Sequence, residues 1–330
     1  MRFDERSILV VGGAGYIGSV LAGLLLDAGA HVRVLDRFIY DNAFAVRHLL
    51  DRPGMELVRG DLRDREAVTA ARAGATDVVL LASLVGDPIC KKYPELAVAV
   101  NEDAAKALID DLADDDTRLV FLSTCSNYGI LEGEALATET TELNPQSLYA
   151  RTKIAVEEHV LAQGAAFPAT ILRLATAYGL SPRMRFDLTV SQFTRELAAG
   201  NALEVYDADT WRPYCHVRDI SKAIMTVLSS PLEPVAGEVF NVGDTAQQFT
   251  KRMIVEQAAS LLTGASVAYR EGDTDPRNYR VSFEKIRNTL GFECDYTVEG
   301  YVPALVRAVQ AGVFDDVEGN ERYGNYTVDL

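Results

Sequence analysis

Tyr149-Ala150-Arg151-Thr152-Lys153 places a phenol and an ammonium at i and i+4, on one face of a predicted helix. A free phenol near pKa 10 is a poor base at neutral pH, and a nearby cation stabilises its phenolate. The pair can therefore take a proton from a hydroxyl, while the ammonium holds a ribose. Upstream, Phe121-Leu122-Ser123-Thr124-Cys125-Ser126-Asn127-Tyr128-Gly129 brings small hydroxyls to the end of a predicted strand. Ligands of open parallel sheets bind beyond the carboxyl ends of the strands, so Thr124 becomes a hydrogen-bond partner for the same substrate hydroxyl. A lone YxxxK is common in helices, so its weight depends on its surroundings.

Gly12-Gly13-Ala14-Gly15-Tyr16-Ile17-Gly18 follows one predicted strand and opens a helix. Glycines there permit a tight turn and let the backbone approach a pyrophosphate, which sits on the helix N-terminus. The bland reading is a glycine turn that packs helix on strand. A second strand, 31–35, ends in Asp36, 18 residues after Gly18. A carboxylate there can accept both adenosine-ribose hydroxyls and would repel a 2′-phosphate, which favours NAD over NADP. Arg37 could offset that repulsion. In Gly60-Asp61-Leu62, Asp61 could meet the adenine amino group or cap the next helix. Leu81-Ala82-Ser83 ends a fourth strand with small residues that leave room for a flat cofactor.

These residues need a scaffold, and the rhythm of the chain supplies one. Strands are predicted at 7–11, 31–35, 56–59, 78–81, 118–123 and 170–174, with helices at 16–28, 66–73, 94–112 and 148–163 between them. That alternation requires crossovers and so parallel strands. Runs such as Val78-Val79-Leu80-Leu81 are apolar on both faces, as in a sheet covered on both sides. The expected fold is α/β, a Rossmann-type doubly wound parallel sheet with a smaller C-terminal α/β substrate-binding cap. Beyond about residue 175, Pro182, Pro213, Pro231, Pro234 and Pro276 punctuate shorter elements, and a return strand at 239–242 is expected to rejoin the sheet. The division expected is a dinucleotide domain over 1–175 with a return segment near 212–245, and a substrate region over 176–211 and 246–330.

At 330 residues the chain can bury a sizeable core without disulfides or structural metal. The formal charge of −16 argues against a nonspecific grip on nucleic acid or anionic membrane. Cys90, Cys125, Cys215 and Cys294 form no CxxC pair, and only four histidines are present, so no metal site is expected. This usage fits a reducing compartment. Residues 7–26 carry no charge, but five glycines interrupt them, so they read as strand, turn and helix of a soluble protein.

With the glycine turn, the acidic strand end, the hydroxyl strand end and YxxxK in order, the chain resembles an extended short-chain dehydrogenase/reductase of the NAD-dependent epimerase/dehydratase family. The likeness extends through Trp211-Arg212-Pro213-Tyr214-Cys215-His216-Val217-Arg218-Asp219, Phe240-Asn241-Val242-Gly243 and Asp275-Pro276-Arg277-Asn278-Tyr279-Arg280. It implies an enzyme acting on nucleotide-sugars, with Thr124, Tyr149 and Lys153 at the catalytic positions. NAD contacts would come from Gly12, Gly15, Tyr16, Ile17, Gly18, Asp36, Arg37, Asp61, Leu62, Leu81, Ala82, Ser83, Ser123, Tyr149 and Lys153. Asn101 falls where the family positions its catalytic helix and cofactor. Arg212 and Arg277 fall where guanidinium groups hold the nucleotide diphosphate, with Arg280 a weaker candidate. Tyr206 matches an aromatic that packs on the base. Thr176, Arg183, Arg185 and Phe186 are placed near the sugar, and His216 reads as structural. The resemblance also implies a homodimer, and the cysteine usage agrees with a cytoplasmic protein.

The shared family step takes a hydroxyl proton by phenolate and a carbon-bound hydride by NAD. Members that eliminate water usually carry Asp-Glu, or at least Glu, where this chain has Cys125 and Ser126. The reading that follows is a nucleotide-sugar 4-epimerase. Alternatives are a 4-dehydrogenase or 4-ketoreductase on a deoxyhexose or heptose nucleotide, and, ranked below them, a 4,6-dehydratase. A non-catalytic dinucleotide sensor is the reading from a different class, and Cys125 is expected to be an inert buried thiol.

Overall fold

The computed structural model describes residues 1–328 except positions 114, 132, 134, 165, 273–276, 315, 318 and 319. Asp275 and Pro276 of the tail motif therefore lie outside the described residues.

Seven strands form one sheet in the order Glu238–Val242, Ala169–Leu174, Arg118–Thr124, Asp77–Leu80, Ser7–Val11, His31–Asp36, Met55–Arg59. Every neighbouring pair is parallel. The apolar runs that suggested strands covered on both faces are buried throughout: all four residues of Asp77–Leu80 and all seven of Arg118–Thr124 are inside. The chain first adds strands to one side of Ser7–Val11 and then to the other. That reversal opens a crevice between the ends of Ser7–Val11 and Asp77–Leu80, where such sheets bind ligands. Strand Glu238–Val242, reached from the second region, closes the far edge against Ala169–Leu174.

Between Val11 and the helix Tyr16–Asp27 the chain turns on glycine for steric reasons. Gly12 has φ of 84°, and a Cβ there would sit 2.7 Å from the Ala82 nitrogen. A Cβ on Gly18 would lie 2.6 Å from the Gly12 carbonyl oxygen. Only glycine lets the helix start this close to two strand ends.

The helix expected at 94–112 is not continuous. It runs as Pro94–Val98, a π-helical turn Ala99–Asp103 and Ala104–Leu112. Such π turns commonly occur at functional sites, and Asn101 sits in this one. Helix Leu148–Ala162 starts cleanly because Ser147 caps it, its side chain accepting from the Ala150 amide.

Three smaller sheets follow, and the three-stranded one contributes Thr176, Ala177, Arg212 and Tyr214 to the opposite wall of the crevice. Thr176–Tyr178 pairs in parallel with Trp211–His216, which pairs antiparallel with Gln248–Thr250. Leu203–Tyr206 pairs with Val267–Arg270. Arg280–Val281 pairs with Leu136–Ala137, and Asn278 exchanges backbone bonds with Gly129 and Leu131. This last contact brings the segment that starts at Arg277 over the end of strand Arg118–Thr124. Among the described residues no helix is long and apolar enough to cross a membrane.

Candidate active site

The crevice is a single cavity of about 480 Å³, within the range of small-molecule sites. Its floor is the glycine turn: Gly12, Gly15, Tyr16, Ile17 and Gly18 all line it. Asp36, Arg37, Asp61 and Leu62 line one end, and Leu81, Ala82 and Ser83 the middle. Ser123, Thr124, Tyr149 and Lys153 line the other end, facing Thr176, Arg185, Arg212 and Arg277 from the smaller sheets and their loops.

At the acidic end, Asp36 accepts from the amides of Ala14 (2.9 Å) and Phe38 (2.8 Å). Burial pushes its carboxyl up, and the amides of Phe38 and Ala14 pull it back. Asp61 is not a helix cap. That task falls to Asp64, which accepts from Glu66 and Ala67. Asp61 instead takes the Arg63 guanidinium at 2.7 Å and lies 3.3 Å from that of Arg37. Burial alone would raise its pKa, but Arg63 and then Arg37 outweigh it and hold the carboxyl below its ordinary range. Arg37 therefore has a carboxylate partner of its own.

At the other end, the Lys153 ammonium donates to the Leu122 carbonyl at 2.9 Å and stands 5.9 Å from the centre of the Tyr149 ring. Burial drives Lys153 down to about 8, opposed by Cys90 and Glu157. Burial also raises the Tyr149 phenol, the direction opposite to what a base needs, and Cys90 adds to the rise. Arg185 and Arg277 oppose it. The sequence pointed to Lys153 as the cation; the fold adds two guanidiniums to the phenol's surroundings. Thr124 accepts from the Ser126 amide at 3.1 Å. The Ser123 hydroxyl donates to the buried Glu157 carboxylate beneath the cavity.

The arginines are held in place. Arg277 pairs with Asp87 at 2.9 Å and donates to the Ser126 hydroxyl at 3.3 Å. Arg212 donates to the Trp211 carbonyl at 2.7 Å and stacks 5.1 Å over Tyr279. Arg185 pairs with Asp187 at 2.6 Å. Arg280 is not among the lining residues; its guanidinium stacks 5.2 Å over Trp211.

Three further residues expected near ligands stand outside the lining. Asn101 is buried behind the wall and clasps Leu84, accepting from its amide (2.7 Å) and donating to its carbonyl (3.1 Å). It shapes the cavity through Leu84, a lining residue. Tyr206 is outside the lining: strand Leu203–Tyr206 alternates, with Leu203 and Val205 turned to the core and Glu204 and Tyr206 to solvent. Phe186 is packed in the apolar core of the second region. Arg183 lines the cavity too, with Arg185 and Asp187 and then Asp36 as charged neighbours, and its guanidinium lies over the Tyr40 ring.

Two side-chain readings fit the local structure. His216 caps the helix Val217–Ser229, accepting from the Arg218 amide at 3.2 Å, and stacks on Tyr296. Burial, then Arg218, lowers it to about 4. Cys125 is fully buried, donates to the Arg173 carbonyl and has its thiol pushed well up by burial.

Sequence reasoning missed Tyr40, Asp87, Asp187, Lys251, Asn325 and Tyr326, which also line the cavity. None belongs to a motif. Asn325 comes from the far end of the chain, where its amide reaches Asp187 (3.1 Å) and its side chain reaches the Val85 carbonyl (3.0 Å).

A doubly wound parallel sheet with a glycine turn at its switch point, and a Tyr/Lys pair in the same crevice, defines a dinucleotide-dependent enzyme of the short-chain type. The chain belongs to the NAD dependent epimerase/dehydratase family, whose model matches residues 8–243. It is 30% identical over 312 residues to a UDP-glucose 4-epimerase of Corynebacterium glutamicum, covering 88% of this chain and 91% of that one. The UDP-glucose 4-epimerase of Thermus thermophilus in complex with NAD superposes with a TM-score of 0.79 at 25% identity, over 92% of this chain and 99% of that one. A dTDP-glucose 4,6-dehydratase of Bacillus anthracis in complex with NAD gives 0.81 at 25% identity, over 97% and 98%.

NAD is the cofactor. The site fits it: Gly12 and Gly18 leave a cradle that a Cβ would fill, and the buried Ser83 hydroxyl in the wall has no protein partner.

Proposed function

We propose that the protein is a nucleotide-sugar 4-epimerase. One observation carries the reading: Tyr149 and Lys153 share a cavity with the glycine turn at one end and Arg212 and Arg277 beside them. Bound NAD supplies the acceptor and later the donor of a hydride at the sugar C4. Tyr149 takes the C4 hydroxyl proton, and Thr124 orients that hydroxyl. Lys153, Arg185 and Arg277 favour the phenolate, and Lys153 also holds the nicotinamide ribose. Arg212 and Arg277 grip the nucleotide diphosphate through bidentate hydrogen bonds.

The cofactor is bound by Gly12, Gly15, Tyr16, Ile17, Gly18, Asp36, Asp61, Leu62 and the 81–83 strand end. The division of labour is a cofactor part over 1–175 and 212–245 and a nucleotide-sugar part over 176–211 and 246–330. The protein works as a homodimer in the cytoplasm.

The relatives named above support a 4-epimerase on a UDP-hexose. Water elimination has less support. At the positions where dehydratases carry an acid, Cys125 is turned into the core and only the Ser126 hydroxyl lines the cavity.

The test is incubation with a panel of UDP- and dTDP-hexoses and hexuronates, with no added cofactor, read by proton NMR. The expected result is a C4 epimer of one substrate. Tyr149→Phe should lower that turnover by about 10²–10⁴-fold and leave NAD binding intact. Near-normal turnover of this variant would remove Tyr149 from the chemistry.

A further inference from the structure

Residues 179–183 cross from the second region onto the glycine turn. Tyr16 donates its hydroxyl to the Gly179 carbonyl at 2.6 Å, and the Ser181 hydroxyl donates to the Tyr16 carbonyl at 2.7 Å. Ser181 also meets the Ser19 hydroxyl at 3.1 Å, and the Arg183 amide donates back to Ser181 at 3.2 Å. These bonds fix Arg183 beside the first turn of helix Tyr16–Asp27, the end that attracts anions.

The Arg183 side chain is 1% exposed, yet it is not fully satisfied. Its Nη2 donates to the Gly324 carbonyl at 3.0 Å and its plane lies 4.8 Å over the Tyr40 ring. Its Nε is buried without a partner, and Arg183 is among the residues that line the cavity. The neighbouring carboxylates are already engaged: Asp36 by two amides, Asp187 by Arg185 and the Asn325 amide. A buried guanidinium N–H left without an acceptor is costly. Burial, with Arg185 nearby, lowers its pKa to about 10, so the charge persists at neutral pH. An anionic acceptor is therefore missing at this point, and a helix N-terminus with a glycine cradle receives a diphosphate there.

We propose that Arg183 is a cofactor clamp, its guanidinium closing over the glycine turn onto the NAD diphosphate while the Gly324 carbonyl of the C-terminal segment holds it in place. The clamp reaches the cofactor from outside the sheet, so NAD is enclosed between two layers of the chain. It stays bound from one turnover to the next, as suits an enzyme that returns its hydride to the same sugar. The inference needs only that NAD is the cofactor and is independent of which sugar reacts.

The test compares NAD binding in the cofactor-stripped wild type, Arg183→Met and Arg183→Lys, using titration calorimetry and the rate of exchange with labelled NAD. A charged hydrogen bond of this kind predicts NAD affinity lower by roughly ten- to a hundredfold in Arg183→Met. Its stripped form should melt no lower than wild type, because an unsatisfied buried charge has gone. Arg183→Lys keeps a charge but loses the planar fork and should exchange NAD faster. Unchanged NAD affinity in Arg183→Met overturns the proposal. If that variant does not fold, unchanged exchange in Arg183→Lys does the same.

Discussion

The Lys153 ammonium donates to the Leu122 carbonyl at 2.9 Å. That bond ties the helix carrying Tyr149 to the strand that ends in Thr124, so the two candidate groups for one substrate hydroxyl are held by a single side chain. It also fixes a buried charge in the core, with consequences that can be measured.

Burial lowers Lys153 from its ordinary 10.5 to about 8 in the folded chain. Between those pH values the unfolded chain binds more protons than the folded one, so stability rises with pH through that window and is penalised below it. Lys153→Met removes the penalty. Without cofactor, the variant should be more stable at pH 7 by on the order of 1–3 kcal/mol, an advantage that vanishes above about pH 10.5, while turnover is lost. Thermal unfolding of both proteins across pH 7–11 checks this; a less stable variant at pH 7 contradicts it.

Glu157 lies one helical turn beyond Lys153 and takes the Arg173 guanidinium at 2.6 Å, both side chains nearly fully buried. The same carboxylate accepts from Asn127 and Ser123. Removing one partner of a buried pair leaves a charge uncompensated, so Arg173→Met should cost about 3–5 kcal/mol. Arg173→Met with Glu157→Gln should recover part of that loss. Denaturant unfolding of the two variants decides it, and equal stability of single and double variants would show the pair is not coupled.

Asp36 faces the cavity, and Arg37 is engaged by Asp61. In the proposed site this carboxylate would repel a 2′-phosphate, with Arg37 drawn away from it. Asp36→Asn removes the charge and keeps one oxygen, which can accept from the Phe38 or the Ala14 amide but not from both. It should raise NADP affinity relative to NAD by about tenfold, roughly one unscreened like-charge contact. Titration of both dinucleotides checks the ratio, and an unchanged ratio would assign the discrimination elsewhere.

Cys125 points into the core toward Arg173, away from the cavity. Cys125→Ala should cost about 1 kcal/mol of stability and leave turnover within roughly twofold. A large loss of turnover with normal melting would make the thiol a participant.

The main sheet was legible because its central strands are apolar on both faces and punctuated by glycine, aspartate or serine where a site begins. Thr124, Tyr149 and Lys153 could be read for the same reason: each belongs to a local pattern with a chemical meaning. The helix at 94–112 misled because a π turn changes hydrogen bonding without changing the apolar spacing that marks a helix. Tyr206 was placed by likeness, but the alternation of its short strand turns it to solvent. Asp87 and Asn325 acquire their positions only through tertiary contacts, Asn325 through the Val85 carbonyl 240 residues away in sequence. No local pattern announces such residues.

The most direct test of the account follows the hydride itself. A nucleotide-hexose carrying deuterium at C4, chosen as the substrate epimerised in the panel, is incubated with the enzyme as purified. The account predicts an epimer of unchanged mass with the deuterium still on C4, because the hydride leaves and returns within one closed site. A 4-keto product accompanied by stoichiometric reduced cofactor would contradict it and make the protein a net C4 dehydrogenase.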